Sequence, residues 1–151
     1  MQYEVRAEHV GPQPLASIRG TALQQELGDE IRRLLGLVWA ELREQRVRTG
    51  HSVVVYHGAE NGRLLIEAGV QTFNAFTDRG DIRSSATPVG EIATTAHFGD
   101  YSAMAPAYEA LGRWCRETGR RPSGVSWEVY GDWDDDPAKV RTDIVFLLAP
   151  E

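Results

Sequence analysis

An internal repeat limits what this chain can fold into. Ser52-Val53-Val54-Val55-Tyr56 aligns with Ser126-Trp127-Glu128-Val129-Tyr130, and each run follows a segment with helical apolar spacing. Trp39 and Trp114, within those segments, lie 75 positions apart, and Tyr56 and Tyr130 lie 74 apart. Two copies of this length exceed a solenoid unit. They predict an α+β fold, a pseudo-twofold pair of β-α-β-β repeats with a ligand cleft between the halves. Repeat one is expected at about 2–73 and repeat two at about 88–149, within a single domain covering 1–151.

Local signals build each copy. Residues 2–10 alternate as a strand, which Gly11-Pro12-Gln13-Pro14 interrupts before Leu15–Gly20 continues it, so a bend or bulge is expected there. Leu27, Ile31, Leu34, Leu35, Val38, Trp39 and Leu42 recur at helical spacings, predicting a helix from about Gly28 to Arg48 with Gly50 as its terminator. Arg43, Arg46 and Arg48 then sit where cations complement the helix dipole. Asn61-Gly62 between two strand-like runs predicts a hairpin, because both residues tolerate positive φ. Residues 74–87 are polar and read as a surface linker.

The pattern then restarts with a strand over Val89–Phe98. A second helix carries Met104, Ala107, Tyr108, Leu111, Trp114 and Cys115 on its apolar face, with Ser102 as its cap and Gly119 at its end. Pro106 conflicts with that start and moves it a residue or two later. A strand at 125–130, an acidic loop at 131–137 and a strand from Val140 to Leu148 complete the copy.

Composition narrows the partners. A chain of 151 residues, 42% hydrophobic and 25% charged, has the make-up of a globular domain with a real core. A net charge of −6 speaks against direct nucleic-acid binding and favours a neutral or cationic ligand. The one cysteine, Cys115, excludes an internal disulfide and fits a reducing, cytoplasmic setting. No apolar run approaches the ~20 residues of a membrane-spanning helix, and the N-terminus lacks a signal-peptide core.

Strand alternation puts Glu128 and Tyr130 on one face and Trp127 and Val129 on the other. Val54 occupies in the first copy the place that Glu128 takes in the second, so the carboxylate breaks the repeat. It either faces solvent, is held by an arginine such as Arg141, or has a binding site built around it.

His97-Phe98-Gly99-Asp100-Tyr101 enters a helix that contains Ala107-Tyr108-Glu109-Ala110-Leu111 and Trp114. Trp127-Glu128-Val129-Tyr130 follows, and then Asp136-Pro137 before Thr142-Asp143-Ile144. In this order and spacing these pieces resemble the GyrI-like small-molecule-binding domain, the effector-binding domain of multidrug-responsive bacterial transcription activators, over nearly the whole chain. The resemblance implies two strand–helix–strand–strand repeats, an aromatic-lined cleft, and a buried glutamate facing cationic aromatic drugs. That glutamate carries over onto Glu128. The physics agrees, since a carboxylate buried without a partner carries a desolvation penalty that an arriving cation removes. An aromatic face adds about 0.5–2 kcal/mol per cation contact.

Tyr130 shares the face of Glu128. Tyr56, Tyr101, Tyr108, Trp39 and Phe73 are candidate walls, although aromatics on an apolar helix face are ordinarily core. Trp127 belongs to the candidate ligand-binding set but, on the opposite face, reads as core. Glu67 is a candidate second carboxylate for which a solvent-facing position is the ordinary expectation. No cofactor or metal is called for. The loop Asp132–Pro137 superficially resembles a calcium loop, but Pro137 stands where that motif needs glycine and Asp143 replaces its bidentate glutamate. His9, His51, His57 and His97 lack metal-ligand spacing.

The leading expectation is a stand-alone module that senses or sequesters cationic, hydrophobic molecules, since full activators carry a separate DNA-binding region for which this chain has no room. The resemblance also admits a hydrolase of cyclopropane-containing alkylating natural products, with Glu128 as general acid or base. A third reading is a protein-interaction module of the kind that inhibits DNA gyrase, acting through an acidic surface.

Overall fold

The computed structural model describes residues 3–151, so the first two positions of the expected opening strand lie outside the described residues. Its elements run β1 (Arg6–Val10), β2 (Pro14–Ala22), α1 (Leu27–Glu44), β3 (Thr49–Glu60), β4 (Arg63–Thr72) and β5 (Arg83–Ala86). They continue with β6 (Gly90–Phe98), α2 (Ala105–Thr118), β7 (Pro122–Tyr130) and β8 (Arg141–Leu148). The fold is α+β, and the order β-α-β-β occurs twice, as β2-α1-β3-β4 and β6-α2-β7-β8.

Two compact units form, one from Pro12–Thr87 and one from Pro88–Glu151 joined by the residues up to Gly11. In the first, the strands lie in the order β3-β4-β2-β5; in the second, β7-β8-β6-β1. Each of these neighbours pairs antiparallel. The fourth strand in each unit is where the chain departs from the expected repeat. Residues 2–10 were expected to open repeat one as the start of a bent strand, but Val10 pairs with Gly90 and Arg6 with Thr94, which ties β1 to the second unit. Pro12 has no N–H to continue a ladder, and the chain resumes at Pro14 in a different pairing, Pro14 with Ala86. The matching edge strand of the first unit is β5, which lies inside the stretch expected to be a linker.

Each helix buries one apolar stripe on the strands of its own unit. In the first unit Val38 and Leu42 of α1 pack on Ala16 and Val70, with Trp39 and Phe76 against them. In the second, Ala107, Leu111 and Cys115 of α2 pack on Ala93, Ile144 and Leu148. Burial pushes the Cys115 thiol up from its ordinary value, as suits a core residue.

Helix α1 stops at Glu44, short of the expected Arg48. Arg46 takes a left-handed φ of 56°, and Val47 N–H returns to Leu42 O at 3.0 Å. Only Arg43 remains in the last helical turn. Gly50 is not the terminator but a β3 residue, where a Cβ would come within 2.9 Å of the Phe73 ring. The Asn61-Gly62 turn forms as expected, with φ of 53° and 77° between the paired Glu60 and Arg63. Asp100, not Ser102, caps the 3₁₀ turn Tyr101–Ala103, accepting from Ser102 N–H at 2.8 Å. Helix α2 then starts at Ala105, so Pro106 falls in the first turn where its missing N–H is harmless. Gly119 ends it at φ 74°. No helix among the described residues is long and apolar enough to cross a membrane.

Leu111 is fully buried at the centre of the α2 face. Leu111→Ala is expected to lower unfolding free energy by about 2–5 kcal/mol in a urea titration, whereas Leu37→Ala on the exposed side of α1 changes it by under about 0.5 kcal/mol.

Candidate functional site

Glu128 lies in β7 opposite Ile144 of β8, and Ile144 belongs to the core beneath α2. Glu128 therefore faces the helix and is 4% exposed. Alternation brings Tyr130 to the same side, as expected. Its hydroxyl donates to Glu128 Oε1 at 2.6 Å. Tyr108, one turn into α2, donates its hydroxyl to Glu128 Oε2. Glu128 is thus neither solvent-facing nor unpartnered; a phenol from the helix and one from its own strand each meet a carboxylate oxygen. Arg141 is engaged elsewhere, its Nε lying 2.8 Å from Asp143 Oδ1 and its guanidinium covering the Phe98 ring.

Aromatic rings continue outward from this carboxylate. Tyr101 meets Tyr130 edge to face with centroids 5.6 Å apart, and Tyr108 tilts against Phe146 at 5.9 Å. Tyr101 is about half exposed, so the series Tyr101–Tyr130–Glu128 runs from the surface to a buried carboxyl group. In the Tyr101–Tyr130 pair the edge of one ring meets the face of the other.

Of the sequence candidates, Glu128, Tyr130, Tyr101 and Tyr108 come together in one unit. Trp127 pairs with Val145 on the opposite side of that sheet and is 5% exposed, as its core reading implied. Trp39, Tyr56 and Glu67 belong to the Pro12–Thr87 unit. Trp39 packs on the core there and donates its indole N–H to Ser52 Oγ at 3.0 Å. Tyr56, opposite Ile66, is half-buried. Phe73 is exposed at the end of β4.

Glu67 corrects its expectation of facing solvent, being 4% exposed. Ser17 Oγ donates to its Oε2 at 2.6 Å and Ser85 Oγ to the same oxygen at 2.7 Å. His57 Nε2 lies 2.9 Å from Oε1, and the Arg19 guanidinium 3.5 Å from it. Burial pushes this carboxyl up, but the hydrogen bonds from Ser17, Ser85 and His57, with the charge of Arg19, outweigh it and hold the group below its ordinary 4.5. Ser17, Ser85 and His57 escaped the sequence reading because only the cross-strand pairings β2–β4, β2–β5 and β3–β4 assemble them.

The second unit also holds His97, 3% exposed and read from sequence as a packing residue. Tyr3 Oη lies 2.8 Å from its Nδ1, and its Nε2 lies 2.9 Å from Asp100 O. A carbonyl only accepts, so Nε2 carries the proton and Nδ1 accepts from Tyr3. In the acidic loop, Asp134 and Asp136 accept main-chain N–H groups of Asp136 and Ala138.

The family model described as "GyrI-like small molecule binding domain" matches residues 3–149. No curated protein matches the sequence. Among solved structures, the EcmrR C-terminal domain is similar with a TM-score of 0.86 at 19% identity, covering 100% of both chains. SAV2435 bound to tetraphenylphosphonium is similar at 0.67 and 14% identity, over 99% of this chain and 94% of that one. A hydrolase from Listeria innocua is similar at 0.65 and 9% identity, over 97% and 92%.

A group whose folded pKa is depressed stabilises the fold above its unfolded value and loses that contribution as pH falls through the folded one. For Glu67, Glu67→Gln is expected to cost about 1–3 kcal/mol at pH 7 by urea unfolding. That difference from wild type shrinks as pH falls through and below 4.5. A difference that stays constant down to acid pH contradicts the assignment.

Proposed function

The chain belongs to the GyrI-like small molecule binding domain family, and from that premise we propose that it binds cationic, aromatic, hydrophobic molecules, with Glu128 as the counter-charge, and so senses or sequesters them. The observation that carries this reading is a carboxylate buried on the helix-facing side of a sheet, contacted by Tyr108 and Tyr130, with Tyr101 leading to it from the surface. A buried negative group surrounded by aromatic rings favours a ligand that is positive and flat or ring-bearing, because the charge is satisfied and the rings supply cation–π contact and area. The phenol hydroxyls keep the carboxylate satisfied while no ligand is present and can rotate away when one arrives. Tetraphenylphosphonium, found on SAV2435, is a lipophilic cation of this class and a suitable probe.

The contacts of Tyr108 and Tyr130 with Glu128 also favour a second reading, in which the carboxylate moves a proton. Held between two phenols in a place shielded from water, it is placed to serve as general acid or base for hydrolysis of an electrophilic, cyclopropane-containing substrate. Turnover separates the readings: binding leaves such a compound intact, whereas catalysis yields many equivalents of hydrolysed product per protein.

Calorimetric titration with tetraphenylphosphonium tests the binding proposal. Glu128→Gln keeps the shape and removes the charge, and is expected to weaken binding by about tenfold or more, about 1.4 kcal/mol. Equal affinity of the variant and the wild type would sink the assignment of Glu128.

A further inference from the structure

We propose that Thr142 is a further ligand-contacting residue that sets specificity, its hydroxyl hydrogen-bonding an amine or hydroxyl group on the ligand whose cationic part Glu128 holds. This rests on the binding reading above and extends it. Thr142 lies in β8 with no exposed surface, opposite Tyr130 of β7 on one side and His97 of β6 on the other. Its place two residues before Ile144 puts its side chain on the helix-facing side, the side of Glu128 and Tyr130.

Thr142 Oγ1 is buried and has no hydrogen-bond partner. Among the described residues one other buried side-chain atom shares that condition, Arg120 Nε, and it has the Glu151 carboxylate 3.3 Å away. Buried threonines nearby are satisfied: Thr94 Oγ1 donates to Ile144 O at 2.8 Å and Thr95 Oγ1 to Glu4 O at 2.8 Å. The flanking groups are engaged elsewhere, since both His97 ring nitrogens have partners and the Tyr130 hydroxyl donates to Glu128 Oε1.

Valine has nearly the same shape as threonine and leaves no hydroxyl to desolvate, so for packing alone it is the better residue here. A buried, unpartnered hydroxyl beside Glu128 and Tyr130 is accounted for by a polar group that arrives from outside. A threonine hydroxyl donates and accepts, which suits an aromatic amine or a hydroxyl. A cation with no such group gains nothing from it.

The test uses two cations, ethidium, which carries aromatic amines, and tetraphenylphosphonium, which carries none. Each is titrated into wild type, Thr142→Val, Thr142→Ser and Glu128→Gln. Thr142→Val is expected to weaken ethidium about 5–20-fold, the range of one hydrogen bond, and to leave tetraphenylphosphonium within about twofold. Thr142→Ser, which retains the hydroxyl, keeps ethidium affinity within about threefold of wild type. Ethidium affinity unchanged in Thr142→Val, or both cations weakened alike, overturns the role of Thr142 while Glu128→Gln still reports on the binding reading. Failure of both cations to bind wild type overturns the binding reading and this inference with it.

Discussion

A carboxylate on the helix-facing side of a sheet must be satisfied, because an ionised group withdrawn from water without partners costs several kcal/mol. In this protein Tyr108 and Tyr130 meet that requirement for Glu128, and much of the second unit is arranged by it. The phenol of Tyr108 reaches the carboxylate with α2 packed over β6 and β8, which is also where Leu111 and Cys115 bury their side chains on Ala93, Ile144 and Leu148. Polar satisfaction and apolar packing thus demand the same placement of one helix. Tyr130, fixed by Glu128 on one side, holds Tyr101 on the other.

Glu67 shows the other way in which a buried carboxylate is tolerated. Two serine hydroxyls, a histidine and an arginine surround it, enough to hold its pKa below the ordinary value despite burial. Such a group is stabilised as an anion within the fold and has correspondingly little to gain from an external cation. Glu128 is met instead by two phenols, Tyr108 and Tyr130, which donate hydrogen bonds to it.

Much of the architecture was legible along the chain. The 3.6-residue apolar period located both helices, the Asn61-Gly62 turn located the first hairpin, and Gly119 located the end of α2. The errors fell where long-range pairing overrides local pattern. Strand β1 reads as the natural start of the first repeat but finds its partner in β6, and β5 looks like a linker because its residues, Arg83-Ser84-Ser85-Ala86, are polar. The end of α1 was misplaced because Gly50 resembles a terminator, while an arginine, Arg46, takes the left-handed conformation.

For the site, the sequence by itself determined that Glu128 and Tyr130 share a face and that Trp127 does not, since strand alternation is a property of the local backbone. It also located Tyr108 on the apolar face of its helix. Which oxygen each phenol meets, that Tyr101 abuts Tyr130, that Ser17, Ser85 and His57 converge on Glu67, and that Thr142 lies between His97 and Tyr130 were decided only by the tertiary structure. Those relations depend on strand order and register, which are set by side chains distant in the chain packing together and leave no periodic trace in either segment alone.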